Sequence, residues 1–329
     1  MRRPLRRVRR LVRRLRRRER PIILMYHRVA SPARDPWELA VQPINFAAQI
    51  DALTTMRRVV PLGWLVRELA HGRVPAGTAA VTFDDGYADL LAEARPVLDR
   101  HGCPATMFLT TGAIGSPEGF WWDELSETIL RPETLPAVLE MEIGGSVRRW
   151  NVGAIPRNRL ADGGDNGLST RGDLHLDLWR FLRPLSALER RQHLDSLAHW
   201  AGARPQPGPP VLTAEEVRRL AEPGFIDIGA HSVTHPTMPS LDPAALRAEV
   251  RESKRSCEAL VDGPVDGFAY PFGDHDEASV ACVREAGFAF ACSTDDGVLT
   301  DRSERWRLPR LAVGNWPAER FAGWLRAAA

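Results

Sequence analysis

At 329 residues, 44% hydrophobic, with 44 Lys and Arg against 42 Asp and Glu, the chain holds enough apolar material for one large α/β domain or two ordinary ones, which excludes a disordered protein. The charge is unevenly spread, for residues 1 to 20 hold 12 Arg and one acid and leave 32 basic and 41 acidic residues in the body. Four scattered cysteines without a C-x-x-C pair exclude a disulfide-stapled scaffold, and no apolar run reaches the ~18 residues of a membrane span.

In the tail MRRPLRRVRRLVRRLRRRER, Leu5, Val8, Val12 and Leu15 recur at helical spacing, so a helix there would carry one narrow apolar stripe among guanidinium groups. That pattern suits an anionic membrane surface or a solvated, disordered tail, and the acidic body argues against nucleic acid. A secretory leader needs an apolar segment of about 7 to 15 residues. The tail has none, so the expectation is a cytoplasmic protein, peripheral at the inner face of the membrane.

From residue 21 short apolar runs alternate with helical patterns, which predicts βα units and a largely parallel sheet over residues 21–329. PIILMYH reads as the first strand, Phe46, Ile50 and Leu53 mark a helix, and GTAAVTFDD is a buried strand. Leu90, Leu91, Ala94, Val97 and Leu98 mark a helix to Gly102, before the strand PATMFLT. Between about 115 and 212 the alternation lapses. There EMEIGGSVRRWNV predicts a hairpin turning at Gly144 and Gly145, RNRLADGGDNGLSTRGD a polar loop, and residues 176 to 201 helix: a mixed α/β insertion. The βα units resume with a capping-box helix at Thr213 and Glu216, the strand FIDIGA, and a helix opened by Asp242 and Pro243 and ended by Gly263. A strand around GFAYPF, a helix to Gly287, the strands FAFACS and RLPRLAV and a closing helix from Pro317 complete the chain.

Three strand ends carry chemistry. TFDDG places Asp84 and Asp85 where a buried strand meets a turn, the edge at which parallel sheets bind substrates. Consecutive side chains point different ways, so one carboxylate can hold a metal while the other handles protons, although D-D-G is also a common turn. AHSVTHP sets His231 and His235 four apart, and two imidazoles with one carboxylate make a hydrolytic metal site with positions left open. FAYPFG is the third end, with aromatic faces suited to sugar rings or to ordinary packing.

These segments, in this order, resemble the polysaccharide deacetylases (NodB homology, carbohydrate esterase family 4) over about residues 21 to 113 and 211 to 316. The resemblance implies a distorted (β/α) barrel and metal-dependent removal of acetyl groups, N-acetyl first, from a polysaccharide or a lipid-linked sugar. It implies Asp84 as catalytic base, Asp85, His231 and His235 as ligands of one divalent ion, zinc first, and the Phe272 N–H as an oxyanion donor beside Tyr270 and Pro271. Two positions depart from the family pattern. Ala269 stands where an Arg often orients the catalytic carboxylate, and no histidine follows His275 to serve as the late general acid. A branch resembling the poly-N-acetylglucosamine deacetylases begins its barrel with MYH, which implies His27 as the acid; a packing role for His27 stays open. The two departures keep a second reading in play, a carbohydrate-binding barrel without turnover.

Among the other groups, His71, His101, His175, His193 and His199 are expected at the surface or in loops. Asp274, His275 and Asp276 read as a helix opening. Trp121, Trp122 and Asp123 fit a sugar platform or a hydrophobic anchor equally, and Arg310 could contact an acidic substrate or orient a site carboxylate.

Overall fold

A computed structural model describes residues 20–117, 119–143, 145–152, 171–202, 208–222 and 226–328. Nearly all of the basic tail and most of the predicted polar loop lie outside the described residues. In chain order the strands are β1 (Ile22–Tyr26), β2 (Arg28–Val29), β3 (Ala40–Val41), β4 (Arg58–Val59), β5 (Thr78–Phe83), β6 (Ala105–Leu109), β7 (Val138–Ile143), β8 (Ser146–Asn151), β9 (Ile226–Ala230), β10 (Gly267–Ala269), β11 (Phe290–Cys292) and β12 (Leu311–Ala312). Eight of them form one sheet in the order β11-β10-β9-β6-β5-β1-β12, with β4 paired to β5. Every pairing within it is parallel.

The sequence explains this arrangement. IILMY, TAAVTF and ATMFL are buried throughout, as parallel strands covered on both faces must be. Side chains alternate between the faces, so Ile22, Leu24 and Tyr26 join one apolar cluster while Ile23 joins another with Phe108, Ala269 and Cys292. The ends of the sheet meet across the segment before β12. Leu308 bridges Cys292 in parallel, the Ser293 N–H donates to Leu308 O at 2.9 Å, and Leu311 then pairs with Leu24 of β1. The sheet thus curls into a distorted (β/α) barrel with its seam at residues 308–311.

Helices fall largely where the apolar spacing puts them. Pro43–Met56 buries Phe46, Gln49, Ile50 and Leu53, and the Asp242 side chain caps Pro243–Val261 by accepting the Ala244 and Ala245 N–H groups at 2.8 and 3.0 Å. That helix ends at Val261, with Asp262 in the left-handed region, rather than at Gly263. The predicted helix to Gly102 is divided into a π turn over Leu90–Ala94 and an α-helix over Arg95–His101. The change of register falls beside Pro96, which has no N–H to give. Spacing did not mark β4 or the helix Leu62–Ala70, whose nine residues are too few for a period to stand out. In RLPRLAV the strand is confined to Leu311–Ala312 and Leu308 makes an isolated bridge on the other side of Pro309, which cannot donate to a ladder.

Ser116–Val211 forms a second compact unit around its own apolar cluster. Leu125 and Ile129 come from the helix Trp121–Leu130, Leu139 and Trp150 from the hairpin β7–β8, and Leu174, Leu178 and Leu182 from the helix Arg171–Leu182. The hairpin is the predicted one, with Ile143 opposite Ser146. The predicted helical stretch is two helices, Arg171–Leu182 and Ala187–Trp200, the latter opened by a Ser186–Glu189 capping box. Trp122 is buried and stacks on Phe120 at 4.5 Å, and Trp121 packs against the unit's apolar cluster. His175 corrects an expectation: it is 3% exposed, its ring is hydrogen-bonded to Ser126 Oγ at 2.9 Å, and burial pushes its pKa down to about 4.

Candidate active site

The chemistry-bearing residues lie at the C-terminal ends of parallel strands, each placed by the last rung of a ladder. The Asp84 N–H donates to Tyr26 O at 3.0 Å, one step beyond the pairing of Tyr26 with Phe83. Asp85 then leaves the sheet with φ 74° and Gly86 with φ 106°. A Cβ on Gly86 would meet Leu109 Cδ2 at 3.0 Å, so both the space and the backbone ask for glycine. The turn sends the two carboxylates to different partners.

Asp84 faces Arg310. Nη1 and Nη2 donate to its two oxygens at 2.7 Å each, a fork-to-carboxylate pair with the guanidinium at 0% exposure. Nη1 also donates to Thr82 Oγ1 at 3.2 Å and Nε to Ser293 O at 2.9 Å. The Arg310 N–H donates to Asp295 O at 3.0 Å. Burial alone raises the Asp84 pKa, but the charge and hydrogen bonds of Arg310 outweigh it, and the carboxyl is held at about 2. Ala269 does not leave Asp84 unsupported: the guanidinium comes from the barrel seam instead. The sequence gives little signal for this, a lone Arg after Leu-Pro with no spacing that ties it to TFDDG.

Asp85 faces the histidines. Its Oδ1 lies 3.6 Å from His231 Nε2 and 3.4 Å from His235 Nε2, and the three ligand atoms lie within 4.8 Å of one another. All three residues are buried. His231 Nδ1 donates to Ala269 O at 2.8 Å; a carbonyl can only accept, so this bond leaves the Nε2 lone pair aimed at the cluster. Desolvation lowers the His231 pKa, against the pull of Asp84, and keeps the ring neutral as a ligand must be. Two imidazoles and one carboxylate, with ligand atoms within 4.8 Å of one another, fit a divalent ion with positions to spare.

The loop between the histidines is tightly wound. The His231 N–H donates to Leu109 O at 2.8 Å, after which Ser232 O and Val233 O accept from the Thr111 and Gly112 N–H groups at 3.1 and 2.9 Å. Ser232 has φ 64° and His235 φ 54°. With Asp85 and Phe272 (φ 58°), four of the six left-handed non-glycine residues among those described belong to this site, the clustering expected where strain serves a function.

The third motif divides its labour. Tyr270 is buried and its hydroxyl donates to Trp306 O at 3.0 Å, so its ring belongs to the core, while the Phe272 ring meets the His235 ring edge-on at 4.4 Å. Pro271 is buried beneath that turn. Asp276 opens the next helix with a Ser279 capping box. His27 follows β1 directly and is part-buried. Desolvation lowers its pKa to about 4, opposed by Asp84 and assisted by Arg310 and His231, which puts the ring within the electrostatic reach of all three. Tyr26 packs, with its hydroxyl donating to Gln49 Oε1 at 3.2 Å.

Among known proteins, the sequence profile of the family described as Polysaccharide deacetylase matches residues 71–136 and 193–291, together half of the chain. The matched stretches hold Asp84, Asp85, His231, His235 and Phe272 and leave out His27 and Arg310. YxkH of Bacillus subtilis (strain 168), an unconfirmed polysaccharide deacetylase, is 24% identical over 102 residues, 31% of this chain and 36% of YxkH. The match thus spans about a third of that curated relative. Among solved structures, IcaB from Ammonifex degensii is similar at a TM-score of 0.58 and 17% identity, over 94% of this chain and 97% of that one. The Streptococcus pyogenes deacetylase PplD in complex with acetate gives 0.54 and 16%, over 92% and 97%. A de-N-acetylase from Aggregatibacter actinomycetemcomitans gives 0.57 and 12%, over 93% and 100%. At these identities the likeness is one of fold.

Proposed function

Because the chain belongs to the polysaccharide deacetylase family, we propose that it hydrolyses acetyl groups, N-acetyl first, from the sugars of a glycan, using a divalent ion held by Asp85, His231 and His235. One observation carries the reading: Asp84 and Asp85 are adjacent, yet one is bound by a buried guanidinium and the other lies among ligand atoms. A cation in that donor set supplies the acidity that makes water a nucleophile near neutral pH and polarises the acyl carbonyl.

The chain's own residues do the rest. Asp84, kept ionised by Arg310, accepts the proton of the attacking water. His27, within the electrostatic reach of Asp84, is the group that protonates the departing nitrogen in this reading. The oxyanion donor is assigned by family resemblance to the Phe272 N–H. In this reading Asp84→Asn lowers kcat by about 10²- to 10⁴-fold while the metal content is unchanged, whereas Asp85→Ala or His231→Ala loses the metal. Acetate release from N-acetylated and O-acetylated oligosaccharides, with metal analysis of each variant, checks this. An Asp84→Asn enzyme of near wild-type rate sinks the assignment.

The alternative of a binding barrel without turnover drew on Ala269 and the missing late histidine; Arg310 at Asp84 removes the first of these grounds. Stoichiometric metal without acetate release from any N-acetyl glycan would restore it.

No helix among the described residues is long and apolar enough to cross a membrane. The reading extends to a cytoplasmic location at an anionic membrane surface, contacted through residues 1–20, where a lipid-linked sugar would be the substrate. The full chain is expected to pellet with vesicles containing anionic lipid, and a chain lacking residues 1–20 to stay in the supernatant. Equal pelleting of the two removes the tail from the account.

A further inference from the structure

We propose that Glu249, on the helix Pro243–Val261 and outside the three motifs, holds the histidine loop in its ligand-ready shape and so sets the affinity of the site for a divalent ion. The proposal rests on the metal reading of Asp85, His231 and His235.

The argument is an account of backbone bonds. His231 is fixed by the β6–β9 ladder, through its N–H to Leu109 O, and beyond it the sheet offers no further rungs to the loop. Four residues later His235 must reach the same point, after a path that puts Ser232 and itself in the left-handed region. Along that path the Ser232 and Val233 carbonyls are taken by Thr111 and Gly112, and the His235 N–H donates to Ser232 Oγ at 3.0 Å. The Val233 and Thr234 N–H groups remain. Both donate to Glu249 Oε2, at 2.8 and 2.9 Å, and Thr234 Oγ1 donates to Oε1 at 2.7 Å. One carboxylate therefore closes three charge-assisted bonds at the middle of a strained loop. His235 hangs on the far side of that middle, 3.4 Å from Asp85 Oδ1, so release of Val233 and Thr234 lets its ring leave the cluster while His231 stays. Outer partners of this kind orient metal ligands without touching the metal.

Glu249 is suited to a test because the helix buries Leu246, Val250, Ser253 and Cys257, so replacing Glu249 leaves that packed face intact. Zn²⁺ is titrated against a competing chromophoric chelator for the full chain, Glu249→Ala and Glu249→Gln, and amide exchange at Val233 and Thr234 is followed in the metal-free proteins. Glu249→Ala is expected to weaken Zn²⁺ binding by about 10- to 100-fold and to lose protection at both amides. Glu249→Gln is expected to stay close to the unaltered chain, since its carbonyl can accept both N–H groups and its amide can donate to Thr234 Oγ1. Equal Zn²⁺ affinity of Glu249→Ala and the unaltered chain, with both amides still protected, overturns the proposal alone. Failure of the unaltered chain to bind Zn²⁺ overturns the metal reading and this proposal with it.

Discussion

Asp84 and Arg310 form a buried ion pair in which neither member is dispensable. Removing one partner of such a pair leaves the other charged and dry, at a cost of about 3 to 5 kcal/mol. Arg310→Met is therefore expected to lower the urea midpoint sharply, and Arg310→Lys to rescue it poorly, because an ammonium cannot hold both oxygens of Asp84 and Ser293 O in one plane. Urea unfolding of the metal-free variants checks both. Stability within error of the unaltered chain would mean that the guanidinium contributes little. The residue scale is also where sequence legibility was most uneven. Asp84, Asp85, His231 and His235 stand in short motifs whose spacing is their chemistry, and the ligand atoms of Asp85, His231 and His235 lie within 4.8 Å of one another. Arg310 lies far along the chain from Asp84, and nothing local to it records the partner. His175 was legible in the sequence: Arg171, Leu174, His175, Leu178 and Leu182 form one helical stripe, the period of a buried face.

At the scale of elements, the histidine loop is pressed between two supports, the Thr111–Ala113 turn on one side and the helix Pro243–Val261 on the other. The approach on the turn side is so close that a Cβ on Gly112 would stand 2.7 Å from Val233 O, so something must shift. Gly112→Ala is expected to destabilise the protein by about 1 to 3 kcal/mol and to weaken metal binding, because the displaced carbonyl belongs to the loop that carries His235. Thermal unfolding and Zn²⁺ titration of that variant read the two effects, and a variant unchanged in both would show that the loop moves freely. Strands and longer helices were legible here because their periods are set by burial on a covered parallel sheet. The short helix Leu62–Ala70 and the π turn Leu90–Ala94 were not, since their form is decided by neighbours rather than by spacing.

For the whole molecule, acid acts on both units at once. His27 in the barrel and His175 in Ser116–Val211 are each pushed from 6.5 to about 4, chiefly by burial. A histidine whose folded pKa lies below its unfolded value takes up its proton more readily when unfolded, so stability falls as pH drops from about 6.5 to about 4. Asp84, depressed to about 2, adds a second loss between about pH 4 and pH 2 with the same sign. Urea midpoints of the metal-free protein are expected to decline through both windows, and His175→Gln, with no proton to gain, to flatten the first. A midpoint constant from pH 7 to pH 4 would contradict the lowered pKa of both rings.

The seam at residues 308–311 has a consequence for synthesis. Asp85, His231 and His235 all precede Arg310 in the chain, so on the proposed reading a nascent chain holds the full candidate ligand set before the residue that clamps Asp84 is added. On that reading, docking of the last strand against the first brings the clamp to Asp84, and the closing of the protein's architecture coincides with the onset of its chemistry.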